Sequence, residues 1–198
     1  MTKLIIFDLG GILTENYDHP FFEAIAEAIG KTREETEELI KPFMHKSERG
    51  ELSEYAFVKQ FLKEMNCKEK PEKFLDIRRK ATKEAAGVRE LILRLKKHHK
   101  IAFATNNAEE EFLYNNKVMH FDKLFDGGIA SYQAQARKTE PKMFEMILKQ
   151  FNVKPEETIF IDDSVANLKA PQALGIKTIY FISLEETKEE LKKLGINV

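Results

Sequence analysis

The sequence predicts an α/β protein, a doubly wound, Rossmann-like parallel sheet into which a four-helix subdomain is inserted. Five short apolar runs bounded by turn residues are typical of strands buried on both faces: Leu4–Phe7, Ile101–Ala104, Ile129–Ser131, Ile159–Ile161 and Thr178–Phe181. Amphipathic helical patterns, such as Val88–Lys97 and Met143–Phe151, alternate with the later runs. This alternation indicates a parallel sheet with helices on both faces.

Residues 18 to 85 interrupt the alternation because they show helical periodicity and no convincing strand. Four helix starts are predicted there, from Pro20 in a first turn, a Thr32–Glu35 capping box, Ser53 and Pro71. Pro42 should kink or end the second of these helices. The predicted division is therefore an α/β core at residues 1–16 and 86–198 and a helical subdomain at residues 17–85.

Length and composition argue against several classes of protein. The 198 residues suffice for one domain with a small insertion, and 32 basic against 33 acidic residues leave no bulk charge for nucleic acid or a membrane surface. The single cysteine, Cys67, allows neither an intrachain disulfide nor a thiolate zinc site. Since no apolar stretch approaches the roughly 20 residues that span a bilayer, and no signal peptide is recognisable, we expect a cytoplasmic monomer or homodimer.

Polar residues follow four of the five predicted strands. They are Asp8, Thr105 with Asn106, and Asp162 with Asp163; Arg137 with Lys138 come some residues past Ser131. In open α/β sheets the ligand site lies beyond the carboxyl ends of the strands, so these side chains should meet in one crevice. Gathered carboxylates repel one another, and a cation that prefers oxygen ligands would relieve the repulsion. The sequence therefore predicts a Mg²⁺ site.

Four motifs, in this order, resemble those of the haloacid dehalogenase-like (HAD) hydrolase superfamily. They are IIFDLGGIL, IAFATNN, ARKTEP and IFIDDSVANLKAPQALGI, and together they cover the predicted core. The helical insertion has the position and size of that family's helical cap. The first motif resembles the FDLG branch, with which sugar-1-phosphate phosphatases are associated.

The resemblance implies a role for each motif residue in hydrolysis of a phosphate ester. Asp8 would be the nucleophile that forms an aspartyl-phosphate. Lys138 would lie between this nucleophile and the phosphoryl group, where it neutralises charge. The hydroxyl of Thr105 and the backbone N–H of Asn106 would bind phosphate oxygens.

The resemblance also implies how Mg²⁺ would be held. Its ligands would be Asp8, the carbonyl of Gly10 and Asp163, with Asp162 either a further ligand or a hydrogen-bond acceptor behind the ion. Asn167, one helical turn beyond Asp163, would orient the nucleophile or Asp163.

Gly10 departs from the family pattern, because most phosphatases of the superfamily have a second aspartate there to protonate the leaving oxygen. General acid catalysis of this kind typically contributes about 10²–10⁴ in rate. Three interpretations follow. The substrate's leaving group needs little protonation, as in a sugar 1-phosphate or an acyl phosphate; another group, among Glu15, Asp18 and His19, substitutes; or the chain binds a phosphorylated ligand with little turnover.

Two residues of the helical insertion are candidate substrate contacts. His19 lies where the chain enters the cap, and Arg49, in the segment SERGELS, is available for an anionic group; a surface histidine and a helix connector are the structural alternatives. The predicted function is a Mg²⁺-dependent phosphatase of a small phosphorylated metabolite, with a sugar 1-phosphate as one candidate. The alternatives are a metal-independent 2-haloacid dehalogenase, which the adjacent acids disfavour, and a regulatory phospho-ligand-binding module.

Overall fold

The computed structural model describes all 198 residues, and it confirms the predicted parallel sheet of five strands. The strands are β1 (Leu4–Phe7), β2 (Lys100–Thr105), β3 (Gly127–Ala130), β4 (Thr158–Asp162) and β5 (Lys177–Tyr180), in the order β3-β2-β1-β4-β5. Phe7 at the end of the central strand pairs with Phe103 and Ile161 on its neighbours. This register brings the residues that follow β1, β2 and β4 to one edge of the sheet. Ser131 and Phe181 lie just outside the strands predicted to include them.

Four helices follow β1, as the sequence predicts. They are α1 (Asp18–Ile29), α2 (Arg33–Glu48), α3 (Glu54–Glu64) and α4 (Pro71–Ala81). Their apolar faces enclose a core of their own, which includes Phe21, Ile40, Phe57, Phe61 and Phe74. None of the helices of the chain is both long and apolar enough to cross a membrane.

The start of α2 agrees with the sequence prediction, but its length does not. The Thr32 side chain accepts a hydrogen bond from the N–H of Glu35, whose carboxylate accepts one from the N–H of Thr32, which is the predicted capping box. Pro42, however, does not end the helix, which continues through it to Glu48. Pro42 is exposed, so the carbonyl of Glu38 that its missing N–H leaves without an intrahelical donor can be hydrated.

The two faces of the sheet bury separate apolar cores, because alternate strand residues point to opposite sides. Ile5 and Phe7 belong to the larger core, which is covered by α5 (Val88–Leu95), α6 (Glu109–Met119), α7 (Phe121–Leu124) and α11 (Leu184–Lys193). Leu4 and Ile6 belong to the other, which is covered by α8 (Ser131–Ala134), α9 (Pro141–Phe151) and α10 (Val165–Ala173). This is the predicted doubly wound arrangement.

The helical insertion enters and leaves the α/β part through two hydrogen-bonded segments. The N–H of Glu15 donates to the carbonyl of Lys83 at 2.9 Å, and the N–H of Ala85 donates to that of Leu13 at 2.8 Å. The connections therefore lie side by side, directly beyond the carboxyl end of β1. The predicted boundaries at 16/17 and 85/86 fall within or beside this pair of segments, and the division into two domains stays a prediction.

Candidate active site

A polar cavity of about 210 Å³ lies between the carboxyl ends of the strands and the helical insertion. Tyr17 is the one hydrophobic residue among the fourteen that line it. Six of the residues predicted from the motifs line this cavity: Asp8, Gly10, Thr105, Asn106, Lys138 and Asp163. The structure therefore brings together the side chains that the sequence places at separate strand ends.

Lys138 joins two buried carboxylates at the floor of the cavity. Its Nζ lies 2.6 Å from Oδ2 of Asp8 and 2.7 Å from Oδ2 of Asp162. Burial raises the pKa of Asp8 to about 8, Lys138 opposes this, and the charges of Asp162 and Asp163 add to the rise. Burial lowers the pKa of Lys138, but the two carboxylates outweigh it and hold that pKa above its ordinary value. Lys138 is therefore an ammonium ion whose charge is shared between two acids.

The two adjacent acids after β4 have different surroundings. Asp162 is fully buried, and its Oδ1 accepts hydrogen bonds from the N–H of Ser164 at 2.8 Å and from Nδ2 of Asn167 at 2.9 Å. Asp163 has an exposed side chain that lines the cavity and accepts no hydrogen bond from another residue. Asn167 thus orients Asp162, which turns inward. The prediction that Asn167 orients the nucleophile or Asp163 is corrected, because its side-chain amide is bonded to Asp162.

The acidic cluster has the chemistry of a magnesium site. One carboxylate oxygen from each of Asp8, Asp162 and Asp163 lies within 4.8 Å of the others. Gly11 has a φ of +75°, and a Cβ built on it would lie 2.1 Å from Oδ2 of Asp163. The loop after β1 therefore approaches this carboxylate so closely that only glycine fits. A small set of oxygen ligands beside an open, polar cavity fits Mg²⁺, which usually keeps several water ligands.

The loop after β2 also lines the cavity, through Thr105, Asn106 and Asn107. The hydroxyl of Thr105 donates to Oδ1 of Asn107 at 2.7 Å, and the side-chain oxygen of Asn106 accepts from the N–H of Lys138 at 3.0 Å. These bonds fix the loop relative to the lysine. The backbone N–H of Asn106 donates to no other group of the chain, so it is available to an anion in the cavity.

Neither of the two cap residues predicted to contact the substrate lines the cavity. His19 is exposed, and its ring lies against the guanidinium of Arg33, with Nε2 2.8 Å from Nη1. Arg49 forms two bonds with the carboxylate of Glu140, at 2.7 and 3.0 Å. His19 faces outward because Tyr17 and Phe21 occupy the buried side of this turn, and Arg49 is held by Glu140 of the α/β part. Both expectations are therefore corrected.

A buried arginine occupies the part of the cavity under the cap. The guanidinium of Arg78, on α4, lies 2.6 Å from Asp18, 3.1 Å from Glu54 and 2.8 Å from Glu111. The hydroxyl of Tyr17 donates to Oε1 of Glu111 at 2.8 Å. The same hydroxyl lies 3.2 Å from the amide nitrogens of Asn107 and Asn115, which donate to it.

The family follows from a comparison with known proteins. A family model described as haloacid dehalogenase-like hydrolase matches residues 5–181. The chain belongs to this family. This match confirms the resemblance seen in the four motifs. The five-stranded parallel sheet is the core of the HAD-like hydrolase.

The HAD-like hydrolase is similar over nearly its whole length to two phosphatases and to a solved structure. Phosphorylated carbohydrates phosphatase of Thermotoga maritima is 30% identical over 202 residues, which cover 96% of this chain and 90% of that protein. D-ribitol-5-phosphate phosphatase of Bacteroides thetaiotaomicron is 26% identical over 210 residues, 96% and 97% of the two chains. The crystal structure of a HAD family enzyme from the same bacterium, a magnesium complex, has a TM-score of 0.81 at 21% identity and covers 96% and 98% of the two chains.

Sequence reasoning missed Glu48, Arg78 and Glu111, which line the cavity of the HAD-like hydrolase. Arg78 belongs to the basic run Arg78-Arg79-Lys80 and is easily mistaken for surface. It follows Phe74 by four residues, however, and so lies on the buried face of α4. Glu111 stands in a run of three glutamates, which is typical of a solvent-exposed helix start. It shares a helix face with Asn115, however, and both are buried. Helical periodicity was the available signal in both cases.

Proposed function

We propose that this chain is a Mg²⁺-dependent phosphatase of a small phosphorylated carbohydrate or polyol, and that it works through an aspartyl-phosphate on Asp8. The observation that supports this most directly is the position of Asp8. Its carboxylate lies at the cavity floor between Lys138, 2.6 Å away, and the otherwise unbonded acid Asp163. A nucleophile flanked by a fixed cation and a metal-binding acid is what phosphoryl transfer requires.

Each group at the floor of the cavity has a separate part in the proposed reaction. A carboxylate oxygen of Asp8 attacks phosphorus, while Lys138 offsets the charge of the phosphoryl oxygens. The backbone N–H of Asn106 positions those oxygens, and the hydroxyl of Thr105 would join it by turning from Oδ1 of Asn107 to the phosphoryl group. Asp8, Asp163 and the carbonyl of Gly10 would hold Mg²⁺, which when bound supplies positive charge at the reacting oxygens. Asp162 would serve chiefly to hold Lys138 in place, because both of its oxygens are already hydrogen-bonded.

The charges of the cavity favour a substrate whose leaving part is neutral and rich in hydroxyls. Both cations that line the cavity are already paired, Lys138 with two acids and Arg78 with three. Neither is therefore free to bind a second phosphate or a carboxylate. Acids and amides suit the hydroxyls of a sugar or polyol. The names of the two full-length phosphatase relatives point to the same class of substrate.

A substrate panel assayed with Mg²⁺ and with EDTA tests the proposal. We expect hydrolysis of sugar and polyol monophosphates, ribitol 5-phosphate and a sugar 1-phosphate among them, that is lost in EDTA and restored by Mg²⁺. Bisphosphates should be poorer substrates. Hydrolysis that persists in EDTA would contradict the metal dependence. Halide release from a 2-haloacid in EDTA would identify a dehalogenase, and tight binding of phosphate esters without turnover would identify a binding module.

Two adjacent glycines provide a matched test of the magnesium site. Gly11→Ala places a Cβ against Asp163 at a left-handed φ, whereas Gly10→Ala finds nothing nearer than the hydroxyl of Tyr17 at 4.0 Å. We expect Gly11→Ala to need about 10- to 100-fold more Mg²⁺ for half-maximal hydrolysis, the usual cost of disturbing the support of a metal ligand. The Mg²⁺-induced rise in Tm should weaken in parallel. An equal Mg²⁺ requirement in the two variants would count against Asp163 as a ligand.

A further inference from the structure

The floor of the cavity lacks a free proton donor for the oxygen that leaves phosphorus. Lys138 donates to two carboxylates, and the hydroxyl of Thr105 donates to Asn107. Position 10, two residues beyond the nucleophile, is glycine. An alkoxide leaving group needs a proton as its bond to phosphorus breaks. A donor must therefore come from elsewhere on the cavity wall.

Glu111 has the geometry of such a donor. It lines the cavity and is 6% exposed. Its Oε1 accepts the hydroxyl of Tyr17 at 2.8 Å and lies 2.8 Å from Nη2 of Arg78, whereas its Oε2 has no hydrogen-bond partner in the chain. The same Tyr17 hydroxyl lies 4.0 Å from where a Cβ of residue 10 would stand. The Tyr17 hydroxyl thus lies between Glu111 and the region of the same cavity that a side chain at position 10 would enter.

The charges around Glu111 favour a bound proton. Three carboxylates, those of Asp18, Glu54 and Glu111, surround two guanidinium groups, those of Arg78 and Arg79. One negative charge is therefore left without a partner. Burial raises the pKa of Glu111 to about 8, Arg78 opposes this, and Asp18 and Glu54 add to the rise. Glu111 lies in the first turn of α6, whose N–H groups favour the carboxylate, so the ionised form is also accessible.

We propose that Glu111 is the general acid and base of the reaction, a role that rests on the proposed phosphatase function. In the first step Asp8 bonds to phosphorus, the bond from phosphorus to the leaving oxygen breaks, and the proton of Glu111 passes to that oxygen. In the second step the Glu111 carboxylate takes a proton from the water that attacks the aspartyl-phosphate. The phosphorus bond to Asp8 then breaks, which frees Asp8 and phosphate and leaves Glu111 protonated again.

Glu111→Gln tests this role through its dependence on the leaving group. Glutamine keeps an acceptor for Tyr17 and Arg78 but cannot transfer the proton. We expect kcat/KM for an alkyl phosphate such as ribitol 5-phosphate to fall by about 10²–10⁴-fold. For 4-nitrophenyl phosphate, whose leaving group is stable as an anion, the loss should be at least tenfold smaller. Because kcat/KM reports the first irreversible step, loss of the base in the second step does not obscure the comparison.

Two further variants separate proton transfer from structure. Glu109→Gln makes the same charge change in the first turn of α6, at an exposed residue, and should leave both activities unchanged. Adding Gly10→Asp to Glu111→Gln should raise kcat/KM for the alkyl phosphate at least tenfold above that of Glu111→Gln alone, because a Cβ at position 10 meets no atom nearer than 4.0 Å. A double variant no more active than Glu111→Gln counts against the proposal.

The result for the wild-type protein distinguishes the two proposals. Suppose that the wild-type protein hydrolyses phosphate esters with Mg²⁺, and that Glu111→Gln loses activity toward the alkyl and aryl esters equally or toward neither. The assignment of Glu111 is then wrong and the phosphatase function stands. If the wild-type protein hydrolyses no phosphate ester, the proposed function itself is wrong.

Discussion

Replacing Asp8 with asparagine is expected to lower phosphatase turnover by about 10⁴- to 10⁶-fold, the range seen when members of a catalytic unit are removed. The amide cannot form the acyl-phosphate bond, and no other carboxylate lies where it could attack in its place. Asp163 is committed to the metal in this proposal, and Asp162 has both oxygens bonded within the protein. The loss should therefore be the same for alkyl and aryl esters, unlike that of Glu111→Gln.

The folded structure should survive this substitution. Asparagine has the shape of aspartate, and it removes one of three mutually repelling carboxylates while Asp162 still pairs with Lys138. The Tm without Mg²⁺ should not fall, and acid-quenched enzyme should carry a phosphoryl group in the wild-type protein only. Asp76→Asn, at an exposed position of α4, is the matched control. Retention of more than a hundredth of the activity, with deamidation excluded by mass spectrometry, would place the nucleophile elsewhere.

The sheet and the floor of the cavity could be predicted because their signals are local. A strand buried on both faces is a continuous apolar run, and the residue after it lies at a known edge of the sheet. Asp8, Thr105 and Asp163 were predicted in this way, whereas Lys138, eight residues beyond β3, was predicted from the third motif. The direction of each side chain was harder to predict. Asp162 and Asp163 are adjacent, yet one turns inward to Lys138 and Asn167 and the other faces the cavity.

The part of the cavity under the cap could not be predicted because it depends on how the insertion packs on the core. Arg78 meets acids from three other elements, α1, α3 and α6, and the sequence does not show which of its many charged residues will be neighbours. By sequence alone, each charged residue of the insertion is an equal candidate for a substrate contact. His19 and Arg49 proved to be bonded to Arg33 and Glu140 instead.

Arg78→Ala is expected to lower the free energy of unfolding by about 3–5 kcal/mol, a large part of the stability of a domain this size. The arginine side chain is 6% exposed and pairs with Glu54, 2% exposed, and Glu111, 6% exposed. Its removal leaves the three acids of the cluster with Arg79 as their only cation, and it also removes the guanidinium that packs over the rings of Tyr17 and Phe21. Arg79→Ala, which removes a more exposed arginine that pairs with Glu54 alone, should cost much less.

The loss of stability in Arg78→Ala should also depend on pH, which urea unfolding at pH 5 and pH 9 would measure. The pKa of Glu111 is raised from 4.5 to about 8 in the folded protein, so the native state binds more protons than the unfolded state between these values, and stability falls as pH rises through the window. Without Arg78 the opposing positive charge is lost and the pKa rises further. Above about pH 8 the Glu111 carboxyl ionises in the wild-type protein but stays protonated in the variant, so the loss of stability should be larger at pH 9 than at pH 5, and adding Glu111→Gln should remove most of this difference. A deficit equal at both pH values would mean that lost packing, and not an unpaired carboxylate, destabilises the variant.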